Sequence, residues 1–188
     1  MTTLDETAAA LRARGYDVAC CATRAEAADY VMNLAADAAT IGQGGSVTLK
    51  DLGLPDALAA QGKAPARRAD VDLFLLSANA LTADGRIVNI DGNGNRVAAS
   101  IHGPKRVCYV IGRNKIVAGG VDAAIDRVKR CACPPNCRRL GKKTPCAETG
   151  ACADCDSPDR ICKVTVVFDR RPTGTPTTVV LVDEDLGY

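Results

Sequence analysis

The run Val71-Asp-Leu-Phe-Leu-Leu76 constrains the fold most, because a strand that is apolar at almost every position must be buried on both faces. Arg86 to Ile90 and Arg106 to Ile111 read as further strands, as do Tyr16 to Cys20 and Ala39 to Gly42. Lys163 to Phe168 and Thr178 to Val182, rich in β-branched residues, close the series. Helices are predicted between them. Thr3 and Glu6 form a capping box, Leu4, Ala8 and Leu11 recur at helical spacing, and Gly15 marks the stop. Thr23 and Glu26 repeat the device ahead of Ala27, Val31, Leu34 and Ala35. Helical character returns at Thr48 to Ala60, Asn95 to Ile101 and Val121 to Arg130. Strands of this kind alternating with helices predict an α/β domain with a mainly parallel sheet covered on both faces. Ligands of such sheets bind at the carboxyl ends of strands, which directs attention to the loops after Ile41, Leu76 and Ile90.

A chain of 188 residues, 47% hydrophobic and with a formal charge of +2, is expected to bury one core, so residues 1–188 are read as one domain. There is no run of 18 apolar residues, and Asp5 and Glu6 stand where a signal peptide would carry cations. Membrane insertion and secretion are therefore not expected, and a cytoplasmic location is. The window Asp126 to Pro145 holds seven Lys or Arg and a single acid. It reads as a solvated helix end running into a loop, or as a surface for an anionic ligand or acidic partner. Aromatic residues are not interleaved with these cations, which speaks against a single-stranded nucleic-acid platform.

Ten cysteines would suggest disulfides in a small secreted protein, but here they crowd into residues 131–162 of a chain with no evident export signal. In a reducing compartment that pattern reads as metal-binding or redox-active. Cys146, Cys152, Cys155 and Cys162 lie in one turn-rich segment bent by Gly150 and Pro158, so four thiolates can reach a common centre. With His102 the only histidine, such a site is built from sulfur. The irregular spacing favours a [4Fe–4S] cluster over zinc, with free or disulfide-forming thiols as the remaining reading. Cys131, Cys133 and Cys137 could contribute a ligand or bind separately. Cys20, Cys21 and Cys108 fall on strands and read as small buried hydrophobes.

Two loops carry candidate ligand contacts. Backbone N–H groups of Gly44, Gly45 and Ser46 could converge on an anion, with Thr48 beside them; a tight turn with Ser46 as N-cap explains the same residues. The second loop follows Asn79 and runs Asn89-Ile-Asp91-Gly92-Asn93-Gly94-Asn95, and Asn79, Asn89, Gly92 and Asn95 join the candidate ligand set. Asn95 also reads as an N-cap. Asp91, the only carboxylate of this loop, is the candidate general base or hydroxyl-binding group. Asp84-Gly85 reads as a hairpin turn, and His102 as a packing or capping residue.

These segments together resemble the LUD domain, named for lactate utilisation. The resemblance rests on Gly44-Gly-Ser-x-Thr48, Asn79-Ala-Leu-Thr82, Asp84 through Ala98, Gly112-Arg-Asn-Lys-Ile-Val117, Thr144-Pro-Cys146, Cys152-Ala-Asp-Cys155, Ser157 through Cys162 and Glu184-Asp-Leu-Gly-Tyr188. It implies a fold related to sugar isomerases and CoA-transferases with ligand sites at strand ends, and an iron–sulfur or flavoprotein electron-transfer partner; the Gly44 to Ser46 loop makes a small anionic metabolite the expected ligand. It leaves the oligomeric state open. The chain is thus expected to be a redox-associated protein of lactate or related 2-hydroxy-acid metabolism, against the alternatives of a non-catalytic assembly subunit or a non-redox isomerase or transferase. Two features depart from the family pattern: the short stretch Gln61 to Asp70, where relatives carry a longer helical insertion, and the cysteines at 131, 133 and 137, where they carry small residues.

Overall fold

The computed structural model describes residues 4–188, so Thr3 of the first capping box lies outside it. The chain runs α1 (Leu4–Ala13), β1 (Asp17–Cys21), α2 (Arg24–Leu34), β2 (Ile41–Gln43), α3 (Val47–Asp51), α4 (Leu54–Ala60) and β3 (Leu73–Leu76). It continues β4 (Ala80–Thr82), β5 (Ile87–Asp91), α5 (Asn95–Ile101), β6 (Arg106–Gly112), β7 (Ile116–Val117) and α6 (Val121–Arg127). It ends α7 (Cys133–Arg139), α8 (Pro145–Thr149), β8 (Val164–Phe168) and β9 (Thr177–Val182).

A mainly parallel central sheet is present: five strands in the order β1-β9-β6-β3-β2, every pairing parallel. The apolar run at 73–76 explains why. Leu73 and Leu75 face a core with Val31 of α2 and Leu54 and Leu58 of α4, while Phe74 and Leu76 face a second core with Ala8 and Leu11 of α1. All four strand residues are buried, as two covered faces require.

The second sheet is not foreseen by the sequence pattern. β7, β4, β5 and β8 form it in that order, with β4 and β5 a hairpin turned at Asp84-Gly85. Gly85 takes φ +87°, and a Cβ there would sit 2.9 Å from the α1 backbone, so this turn needs glycine. The strands at 87–91 and 164–168 therefore pair antiparallel with each other and do not join the central sheet. One face of this sheet adds Ile87 and Phe168 to the α1 core. The other packs Ala80, Val88 and Ile90 against Ala124 of α6 and Val128.

Beyond α6 the helix does not stop at Arg130. It passes through a π turn at Val128–Ala132 into α7. Pro134 and Pro135 follow directly on the π turn in the first turn of α7, where their fixed φ suits the helix. Residues 61–70 run along the free edge of β2: Ala66 N–H donates to Ile41 O at 2.9 Å and Gln43 N–H to Ala66 O at 2.9 Å. Cys21 and Cys108 are buried as expected, but Cys20 is exposed because β1 is an edge strand. Among the described residues no helix is long and apolar enough to cross a membrane.

Candidate functional site

A cavity of about 460 Å³ opens at the carboxyl ends of β2, β3 and β6. Gly45 to Thr48 follow β2, Ser77 to Asn79 follow β3, and Asp91 to Arg96 join β5 to α5. The far wall comes from the cysteine-rich region, through Ala132, Cys133, Asn136, Arg139, Lys142 and the stretch Pro158 to Ile161. Seven basic side chains line the space (Arg67, Arg96, Lys115, Arg139, Lys142, Arg160 and Lys163) against two side-chain carboxylates, Asp91 and Asp159. Low-dielectric walls of one charge sign concentrate ions of the other.

Arg96 organises the loops around it. Its Nη1 donates to Ser77 O at 3.1 Å and Asn89 Oδ1 at 2.9 Å, and its Nη2 to Asn79 Oδ1 and Ile90 O, each at 2.9 Å. Asp91 Oδ2 lies 3.7 Å from Arg96 Nε and accepts from Val97 N at 3.3 Å, while Oδ1 accepts from Gly92 N at 2.7 Å. The Asp91 carboxylate thus holds the start of α5 together with its own arginine. Gly94, at φ +80°, is the N-cap of α5 and makes no side-chain cap, so Asn95 is the first helical residue, exposed on the cavity wall. His102 ends α5 as its C-cap.

The candidate ligand residues separate into lining and supporting groups. Gly45, Ser46, Thr48, Asn79, Asp91, Gly92 and Asn95 line the cavity. Gly44 does not: a Cβ there would meet Arg96 Cγ and Cδ at 2.8 Å, so this glycine makes room for the arginine stem. Asn89 is fully buried, accepting from Asn79 N at 3.0 Å and donating to Tyr109 Oη at 3.4 Å. Ser46 Oγ caps α3, accepting from Leu49 N at 3.3 Å.

Sequence reasoning misses the group at the cavity floor. Lys115, on the turn after β6, is 4% exposed, and its Nζ donates to Thr48 Oγ1 at 2.7 Å and Ser77 Oγ at 2.9 Å. No carboxylate pairs with it among the described residues. Burial, reinforced by Arg127 and Arg96 and only partly offset by Asp51, pulls its amine down to about 7. Gly187, at φ +60°, packs on this corner, where a Cβ would lie 2.6 Å from Thr48 Oγ1. Arg127 ties the same corner together by donating to Asn79 O at 2.7 Å and Asn114 O at 2.8 Å. The basic window of the sequence is therefore divided: Arg127 is structural, whereas Arg139 and Lys142 face the cavity.

The cysteines form a neighbourhood behind the far wall. Cys133 and Cys137 stand one turn apart on α7 and are buried, and Cys137 Sγ lies 3.7 Å from Cys146 Sγ on α8. Burial, followed by the thiols of Cys162, Cys137, Cys152 and Cys146, pushes the Cys133 thiol up to about 12. Cys152, Cys155 and Cys162 are half-buried. The donor set is wholly sulfur, which suits iron–sulfur or zinc ligation. As the side chains stand, no three His, Cys, Asp or Glu groups among the described residues are gathered to hold a metal ion.

The LUD domain family model matches residues 4–70 and 60–182. The chain belongs to the LUD domain family. The two matched stretches meet at residues 60–70, the short segment along the β2 edge. A crystal structure of a DUF162 family protein from Deinococcus radiodurans superposes with a TM-score of 0.56 at 14% identity, covering 95% of each chain, and shares the fold. Comparison with curated proteins finds no significant match.

Proposed function

We propose that this LUD-domain chain serves lactate or related 2-hydroxy-acid utilisation by binding a small anionic metabolite in the cavity. One observation carries the reading: seven basic side chains against two side-chain carboxylates around a space of about 460 Å³, built where α/β sheets place their ligands. Gly45, Ser46, Asn79 and Asn95 supply polar contacts, and the cations supply the anion preference. Asp91 acts through Arg96, since both of its carboxylate oxygens are already engaged. The all-thiol chemistry behind the far wall supports a metal centre held by Cys146, Cys152, Cys155 and Cys162, a [4Fe–4S] cluster in preference to zinc. When bound, the cluster would supply one-electron chemistry and brace the wall formed by residues 132–161; an iron–sulfur or flavoprotein partner would exchange those electrons.

Titration calorimetry with lactate and pyruvate tests the cavity. Binding that weakens as salt is raised is the expected result, and heat-silent titrations with both acids at millimolar concentration would reject it. Iron and sulfide analysis of anaerobically prepared protein tests the metal centre independently. Colourless protein containing zinc would favour the assembly-subunit alternative.

A further inference from the structure

We infer that Lys115 is a nucleophile that forms an imine with the carbonyl of a 2-oxo acid held in the cavity. The inference deepens the anion-binding reading and rests on it. Buried lysines are ordinarily neutralised by a carboxylate, because an unpaired ammonium loses its hydration without recompense. Lys115 is buried beside two hydroxyls, with the charges of Arg127 and Arg96 nearby, and it lines the cavity. Thr48 Oγ1 and Ser77 Oγ accept both hydrogens of the neutral amine, so its lone pair is not engaged by either hydroxyl. The fall of the amine to about 7 agrees with this geometry, since it leaves a sizeable fraction as free base near neutral pH.

The chemistry balances within the site. The neutral amine adds to the carbonyl carbon to give a carbinolamine. Loss of water, carrying the carbonyl oxygen and both amine hydrogens, leaves the C=N bond. The hydroxyls of Thr48 and Ser77 lie at hydrogen-bond distance to relay those protons, and the cationic lining of the cavity favours the substrate carboxylate. No oxidant or reductant is needed. A 2-hydroxy acid can occupy the same cavity but cannot form this bond.

Cyanoborohydride reduction in the presence of pyruvate, followed by peptide mass mapping, tests the inference on the intact protein, with lactate as the control lacking a carbonyl. The expected result is one reduced pyruvate on the peptide containing Lys115, absent with lactate, and lost in Lys115→Met. Because Lys115→Met removes two buried hydrogen bonds, circular dichroism verifies its fold, and the site of labelling in the wild-type protein decides the matter without any variant. If calorimetry detects pyruvate and lactate but no adduct forms on Lys115, the imine is overturned and the anion cavity stands. If neither acid binds, the anion reading and the imine fall together.

Discussion

Gly44→Ala is the sharpest probe of how the site is held. The new Cβ would lie 2.8 Å from Arg96 Cγ and Cδ and meets nothing else within 3.4 Å except the Arg96 Cβ. Ordinary carbon contacts begin near ~3.5 Å, so the arginine stem must retreat by roughly 0.7 Å. It has little room to do so, because its guanidinium is held by four hydrogen bonds of 2.9–3.1 Å. Overpacking of this kind costs ~1–3 kcal/mol, and releasing one charge-assisted bond costs a similar amount. We expect a loss of about 2 kcal/mol, read by urea denaturation. Arg96→Ala alone should cost ~3–5 kcal/mol, because Asp91 and several buried acceptors lose their partner. In that background Gly44→Ala should be neutral or slightly stabilising, since the clash is gone and the unfolded chain is stiffened. The double-mutant cycle should therefore show a coupling of about 2 kcal/mol. Additive effects would refute the packing of Arg96 on Gly44 and, with it, the account of how the loops are organised.

Three other outcomes follow from the same geometry. Gly187→Ala, which forces a side chain into a left-handed backbone and against Thr48 Oγ1, should cost ~2 kcal/mol in urea denaturation. Lys115 titrates at about 7 when folded and at the ordinary lysine value of 10.5 when unfolded, so between those limits the unfolded chain binds more protons and this group's contribution to stability rises with pH. Measured as the difference between wild type and Lys115→Met, which cancels the raised thiols, the wild type should gain ~2 kcal/mol from pH 7 to pH 9; a constant or shrinking difference would argue against a depressed amine. Iron bound by anaerobically prepared protein should fall in Cys146→Ser and persist in Cys20→Ser, because Cys20 lies on the far edge strand β1. Equal iron in both variants would remove Cys146 from the centre.

Much of the fold is written in periodicity. The doubly apolar strand at 73–76 announces a sheet covered on both sides, and the capping box at Thr23 and Glu26 places the start of α2 to the residue. The second sheet was hidden because β4 and β7 span three and two residues, too short to carry a period. The continuation into α7 was hidden by Pro134 and Pro135, which signal a loop or a helix start depending on what precedes them. The polar loops at 44–48 and 89–95 were recognisable from their glycine and amide content. Their divided roles were not: only contact with Arg96 shows that Gly44 and Asn89 support the wall without forming it. Lys115 was missed because a single lysine in Gly112-Arg-Asn-Lys-Ile carries no mark of burial; its chemistry comes from Thr48 and Ser77, 67 and 38 residues away.

The floor of a cationic cavity presents Lys115, which pairs with no carboxylate among the described residues. The most direct test of this is the titration of the Lys115 side chain by NMR on isotopically labelled protein, assigned by comparison with Lys115→Met. The account predicts a midpoint at about 7 that rises when lactate binds, because a nearby carboxylate favours the charged amine. A midpoint at the ordinary lysine value, unmoved by lactate, would contradict it.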